Sequence, residues 1–447
     1  MTPLPIPSFP SASLAAWQQQ VRTELKDERA DEQLQWASPE GFTVAPYYTV
    51  DSVAQLPLAD LQGAQRTNPG WLNTPDYRID DARTANAALV QALASGADAL
   101  LLDLPGPVEV PMLTRLLNGI KLSDHPVFFR TATPDQLVVA LASVAPYQWR
   151  GGLLHDPIAE AIGQGRTEAI DWTPVQTAVR QTAGSPQFRA VCASSHVFHN
   201  AGATATQELA LLLAGLVTQY DGLTEAGVPI AELVASTALS VSVGTSYFLE
   251  MAKLRALRVL WQRLISCYGL EAPAAFVHAQ TSRFYAARAT VNTNLLRATT
   301  EAMAAVMGGA DALTVQPFDT VLTAPSAFSE RLARNVSVLL RDESYLDKVA
   351  DPAAGSYYIE HLTNELVDRA WTMLQTIEAA GGLLPAVASG WVTEQLDASW
   401  KAKVEAVRNG QVLVGVTKFR HDESELAPAP AQPDALLPDR RLAALFE

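Results

Sequence analysis

Of 447 residues only two are cysteine, Cys192 and Cys267, and no Cys-x-x-Cys pair exists. That excludes a disulfide scaffold and the common zinc modules, and it fits buried, reduced thiols in a reducing cytoplasm. Apolar runs are short. None approaches the roughly 20 residues that cross a bilayer, so no membrane span is expected. The opening MTPLPIPSFPSASLAAW lacks a basic segment ahead of an apolar core, so it does not read as a secretory signal. Excess positive charge is missing too. The formal net charge is -15, which excludes the basic stripe of a nucleic-acid surface. GxxxxGK[ST], HExxH, GxSxG and an EF-hand loop are absent. The seven histidines are scattered. His196 and His199 lie near Cys192, but without a third ligand at ordered spacing no metal site is expected.

What is present is repetition. Short apolar runs occur at 99–104, 127–129, 151–154, 188–193, 236–243, 272–277, 312–315 and, most weakly, 357–359, with 348–350 as the substitute for the last. Most are separated by helical patterns. The helices expected are 13–25, 81–95, 206–220, 248–268, 294–307, 326–340, 359–379 and 391–409. Alternation of this kind predicts an α/β fold, a (β/α)8 TIM barrel. A doubly wound sheet ranks second, because no GxGxxG fingerprint follows an early strand. Residues 1–45 read as an extended N-terminal arm, opened by Pro3, Pro5, Pro7 and Pro10, with Ser11 or Ser13 starting its helix. Its apolar residues need a partner surface or the domain body. Residues 46–420 form the barrel. Residues 421–447 are rich in Pro and Ala and read as a C-terminal linker or tail.

In a parallel barrel the carboxyl ends of the strands carry the ligand site. His278 and Gln280 fall at such an end and are candidates for ligand contact; a satisfied polar layer at the mouth is the other reading. Arg255 and Arg258 could face an anion such as phosphate, or be ion-paired. The run Asp351 to Tyr358 reads as a turn feeding a strand.

Several segments match one family. AGATATQELA (201–210), EMAKLRALRVLW (250–261), HAQTS (278–282), TNLLRATTEAMAAVMGG (293–309), VADPAAGSYYIEHLTNEL (349–366) and VGVTKFR (414–420) stand in family order. The chain resembles the substrate-binding barrel of methylmalonyl-CoA mutase, an adenosylcobalamin-dependent enzyme, over about residues 46–420. The resemblance implies a (β/α)8 barrel with an acyl-CoA threaded along its axis.

Two departures accompany it. Catalytic members carry Ser-Gly-Tyr-His-Met-Gln-Glu before AGAT, where this chain has Ser194-Ser195-His196-Val197-Phe198-His199-Asn200. Val197 takes the place of the histidine that serves the substrate carbonyl, and His196 that of the tyrosine. Valine cannot donate a hydrogen bond, and a positioned acid or base contributes about 10²–10⁴ in rate. The segment at about 156–187 is shorter than in catalytic members and offers no counterpart of their carboxylate-binding arginine. The cobalamin motif Asp-x-His-x-x-Gly is also absent.

Both departures fit the non-catalytic small subunit of a heterodimeric mutase. The resemblance then implies a large catalytic partner subunit that holds adenosylcobalamin, an arm wrapped on that partner, no cofactor or metal on this chain and no catalytic residue. It further implies weak acyl-CoA binding at most, with Arg255, His278, Gln280 and Ser282 as remnants of a substrate channel. A catalytic acyl-CoA mutase barrel borrowing a separate cobalamin subunit is the first alternative. An acyl-CoA-binding or assembly protein without isomerase activity is the second.

Overall fold

The computed structural model describes residues 13–421 and 435–447. The four N-terminal prolines and Ser11 lie outside them. Two five-stranded parallel sheets form the body, and they share their outer strands. We number the barrel strands β1–β8. β1 is broken: Leu72–Asn73 pairs with β8 (Ala312–Thr314), while Asp76–Arg78 pairs with β2 (Leu100–Asp103). β5 is broken as well. Gln187–Arg189 pairs with β4 (Arg150–Leu153), and Val191–Ser194 pairs with β6 (Thr237–Val243). β3 (Val127–Arg130) and β7 (Val277–Thr281) complete the ring. Each broken strand changes neighbour at its break, so the two sheets join through β1 and β5 into the expected eight-stranded barrel.

The residue alternation shows how the ring fills. Leu100, Leu102, Val127, Phe129, Leu239, Val241, Val277 and Ala279 point outward into the main core beneath the helices. Their alternates point inward. Ala99, Leu101, Phe128, Leu154, Cys192 and Ala238, joined by Leu72 and Phe276, form a separate apolar cluster drawn from seven strand regions. Such a cluster can only be the barrel interior. Gly151 and Gly152 allow β3, β4 and β5 to approach closely, since a Cβ at Gly151 would lie 2.0 Å from the Val127 carbonyl oxygen.

The eighth strand was expected in the wrong place. Tyr357–Ala379 is one helix, N-capped by Ser356, and no strand lies at 348–350. The turn at 351–356 therefore feeds a helix, and the missing strand is β1, in a region outside the apolar runs read from sequence. The strand expected at 272–277 instead begins at Val277 and runs through the polar residues His278 and Gln280. Cys192 is buried as expected, whereas Cys267 is exposed.

The arm and tail both fasten onto this body. Ser13 caps the helix Leu14–Leu25, and Trp17 stacks on Tyr47 at 5.2 Å. Glu40 accepts the Ala205 and Thr206 amides at 2.9 and 2.7 Å, capping the helix Ala205–Glu225. The tail is more than a linker. Residues 435–447 pack on the carboxyl side of the barrel, with Leu442 and Ala443 buried. Among the described residues no helix is long and apolar enough to cross a membrane.

Candidate functional site

The inward positions of β6 are small: Ala238, Ser240 and Ser242. That leaves room inside the ring for larger groups from its neighbours. Lowest is an aromatic floor, where Phe128 and Phe276 stack at 5.5 Å. Above it His278 hydrogen-bonds Ser240 Oγ through Nδ1 (2.8 Å) and Thr314 Oγ1 through Nε2 (2.9 Å). His196 reaches Ser240 Oγ with Nε2 (2.8 Å) and Ser242 Oγ with Nδ1 (2.7 Å).

One end of this chain has a defined polarity. Thr314 Oγ1 donates to the Thr74 carbonyl at 2.6 Å, so it must accept from His278 Nε2–H. His278 Nδ1 then accepts the Ser240 hydroxyl proton, Ser240 accepts from His196 Nε2–H, and His196 Nδ1 accepts from Ser242. Every ring nitrogen is used, and both imidazoles are neutral. Burial, followed by the Arg130 charge, holds both well below the ordinary imidazole pKa.

At the mouth Arg130 donates to Asp76 Oδ2 (2.8 Å) and Gln280 Oε1 (2.5 Å). Burial raises the Asp103 carboxyl, and the Asp76 charge raises it further. His278, Ser240 and Thr314 are 0–2 % exposed, and Leu101, Phe128, Cys192 and Ala238 below them are equally buried. At this depth the axis is filled by side chains, contrary to the expected axial acyl-CoA channel. Partly exposed Arg130, Gln280 and His196 form the bottom of a shallow mouth.

A second cluster lies outside the ring, between the helices Ala205–Glu225 and Tyr247–Cys267. Lys253 Nζ is 3.2 Å from both Glu208 oxygens, 2.6 Å from Glu250 Oε2 and 2.8 Å from the Ser242 carbonyl oxygen. Glu208 also meets His199 Nδ1 (2.7 Å) and accepts from Ser195 Oγ (3.0 Å). Burial pushes the Glu208 pKa up, but Lys253 and His199 overcome this and hold it at about 2. For Lys253 burial acts downward, and the Glu208 and Glu250 charges raise it to about 12. Burial raises Glu301 well above the carboxylate range.

The sequence candidates therefore separate. His278 and Gln280 share the lumen with His196. Ser282 belongs to the second cluster: its Oγ meets His199 Nε2 at 2.6 Å, and its amide donates to Glu301 at 3.0 Å. Arg255 belongs to neither. It is fully buried in the outer layer, paired with Asp351 and, at 2.9 Å, with Glu360. It ties the 351–356 turn to the barrel helix and is no remnant of a channel. Arg258 likewise pairs with Asp311 at 2.8 Å. Val197 packs against the main core beside Gly163.

Sequence reasoning passed over Arg130, Glu208 and Lys253. A usable signal existed for the last two, because each charge falls on an apolar helix face, where an unpaired ion is costly. Among the described residues no group of His, Cys, Asp and Glu could hold a metal ion.

A family model described as methylmalonyl-CoA mutase matches residues 109–446, reaching through the docked tail. The chain is similar to the methylmalonyl-CoA mutase small subunit of Porphyromonas gingivalis, 32% identical over 437 residues, 92% of this chain and 70% of that protein. It is similar to the Streptomyces virginiae small subunit at 33% over 470 residues, 98% of this chain and 76% of that protein. The Streptomyces virginiae large subunit matches at 28% over 467 residues, 93% of this chain and 63% of that protein. Among solved structures, dihydropteroate synthase from Thermus thermophilus aligns at 18% identity and TM-score 0.32, covering 62% of this chain and 94% of that chain.

Proposed function

The chain belongs to the methylmalonyl-CoA mutase family, and we propose that within it this protein is a supporting small subunit, paired with a large subunit that performs the isomerisation. The reaction served is interconversion of (R)-methylmalonyl-CoA and succinyl-CoA. Adenosylcobalamin, held by the large subunit, supplies the radical chemistry.

The lumen carries this reading. A thioester oxygen needs a free donor, and a substrate needs space. The two lumen histidines spend every ring nitrogen on Ser240, Ser242 and Thr314. The aromatic floor and these neighbours occupy the axis. The lumen histidines are equally unsuited to ligating cobalt, since a ligand nitrogen must be unshared. The similarity to proteins named small subunits supports the same view.

The arm is a reasonable grip for the partner. Its helix Leu14–Leu25 has no fully buried residue, and Trp36 and Tyr47 are exposed beside it. The test is the native mass of this chain co-expressed with a large mutase subunit. A one-to-one complex is the expected result. A homodimer indifferent to the large subunit, active on an acyl-CoA once a stand-alone cobalamin-binding subunit is added, would overturn the reading.

A further inference from the structure

The connection after β7, residues 282–292, has no regular structure until the helix Thr293–Met307 begins. Its backbone polar groups still need partners. Four of those groups, between Phe284 and Ala289, find them in one remote segment. The Leu442 amide donates to the Phe284 carbonyl at 2.8 Å, and Arg441 Nη1 donates to the Ala286 carbonyl at 3.0 Å. The Glu447 carboxylate accepts the Arg288 and Ala289 amides, the latter at 3.2 Å, and is itself held by Arg441 at 2.6 Å.

The same segment grips two further places. Arg440 donates its amide to the Asn200 carbonyl at 2.8 Å and Nη1 to the Ala201 carbonyl at 2.9 Å. Its guanidinium pairs with Asp397 and lies over the Trp400 ring. Leu442 is buried with Phe284, Val404 and Val407, and Ala443 with Ala287 and Val416. Residues 439–447 thus join the connections after β5 and β7 to the helix Trp391–Arg408. All of these lie on the carboxyl side of the barrel.

We propose that residues 435–447 are a latch that opens as a unit, clamping the connection after β7 over the Ser282–His199 end of the buried charge cluster. One feature distinguishes a latch from another piece of core: its hold is mostly polar and built from side chains and backbone at one surface, with few buried residues of its own. Opening frees the Phe284 and Ala286 carbonyls and the Arg288 and Ala289 amides together, which loosens the peptide that positions Ser282. This inference goes beyond the subunit reading and does not depend on it.

The experiment is native-state hydrogen exchange on the full-length chain. The amides of Arg288, Ala289, Arg440 and Leu442 should share one opening reaction, with protection about tenfold or more below that of the strand-linked Leu101 and Leu239 amides. In Leu442→Asp all four should lose protection together while Leu101 and Leu239 keep theirs. Leu445→Asp, at a latch position 56% exposed, should change none of them. If Leu442→Asp fails to fold, Glu447→Gln carries the test: protection at Arg440 and Leu442 should fall together with that at Arg288 and Ala289, and loss confined to Arg288 and Ala289 would overturn the unit. Protection of the four amides equal to that of the strands, or loss spread evenly over the barrel in Glu447→Gln, would overturn the latch.

Discussion

Lys253 Nζ sits 3.2 Å from both carboxylate oxygens of Glu208, in a place where neither residue reaches water. The pair joins the helix after β5 to the helix after β6. Through the Ser242 carbonyl it also reaches the strand that lines the lumen. Desolvation on this scale is tolerated because each charge has an opposite neighbour, and Glu208 and Lys253 make further hydrogen bonds to Ser195 and the Ser242 carbonyl.

Removing the cation should therefore be severe. Lys253→Met leaves Glu208 and Glu250 buried together, and we expect a loss of about 3–5 kcal/mol in denaturant unfolding. Adding Glu208→Gln should return part of that loss. A single variant within about 1 kcal/mol of the parent would show that water relieves the cluster in solution.

The same cluster sets an acid limit. The Glu208 pKa is about 2 in the folded chain, below its ordinary 4.5. A depressed carboxylate contributes stability above its unfolded value and loses it as pH falls through the folded value. Stability should then decline from about pH 4.5 towards pH 2, and Glu208→Gln should flatten that decline. An equal slope in the variant would place the acid sensitivity elsewhere.

Asp156 has the opposite sign. It accepts from the Ile158, Ala159 and Ser194 amides and from Gln219, yet burial outweighs these bonds and raises its pKa to about 6. A raised carboxylate contributes most below its unfolded value, and the contribution is lost as pH rises through the folded value. The advantage of the parent over Asp156→Asn should be largest near pH 4 and smallest above pH 6. Unfolding midpoints for both proteins across this range decide the matter.

Arg255 offers a contrast between structure and ligand. Arg255→Ala strips Asp351 and Glu360 of their buried cation and should cost about 3–5 kcal/mol. If the arginine were a channel remnant, the same change would instead alter acyl-CoA affinity with little effect on stability. Melting of the variant, read beside calorimetry with methylmalonyl-CoA, separates the two.

The filled lumen makes a prediction for the parent chain. Calorimetry should find no methylmalonyl-CoA binding at micromolar affinity. Phe128→Ala should cost about 3–5 kcal/mol as a floor cavity without creating affinity, because the histidine layer above remains. Micromolar binding by the parent would mean that the lumen rearranges around ligand.

Where sequence reading failed, the cause is local. β1 runs Leu72-Asn-Thr-Pro-Asp-Tyr-Arg78, with a proline inside and polar residues at its inward positions after Leu72, so nothing in it resembles an apolar run. Pro75 lacks an amide proton, but its carbonyl still accepts from Leu101, and the break lets the two halves serve different neighbours. Tyr357 to Ile359 is apolar and β-prone, yet Ser356 accepts the Ile359 amide and starts a helix there. In β7 the inward His278 and Gln280 read as a loop tip, because a lumen that accepts hydrogen bonds tolerates polar residues in a strand.

Local pattern determined the alternation of strands and helices, the places of the eight helices it marks, the family segments and the absence of a donor at Val197, since each depends on residues adjacent in the chain. Only the tertiary structure decided that His196 and His278 share Ser240, that Arg255 faces Asp351 and Glu360 rather than a ligand, that Lys253 lies between two glutamates, and that the tail docks. Those outcomes depend on which side chains the closed ring brings together across 38 to more than 150 positions of sequence, and hydrogen-bond polarity and burial are properties of the assembled neighbours.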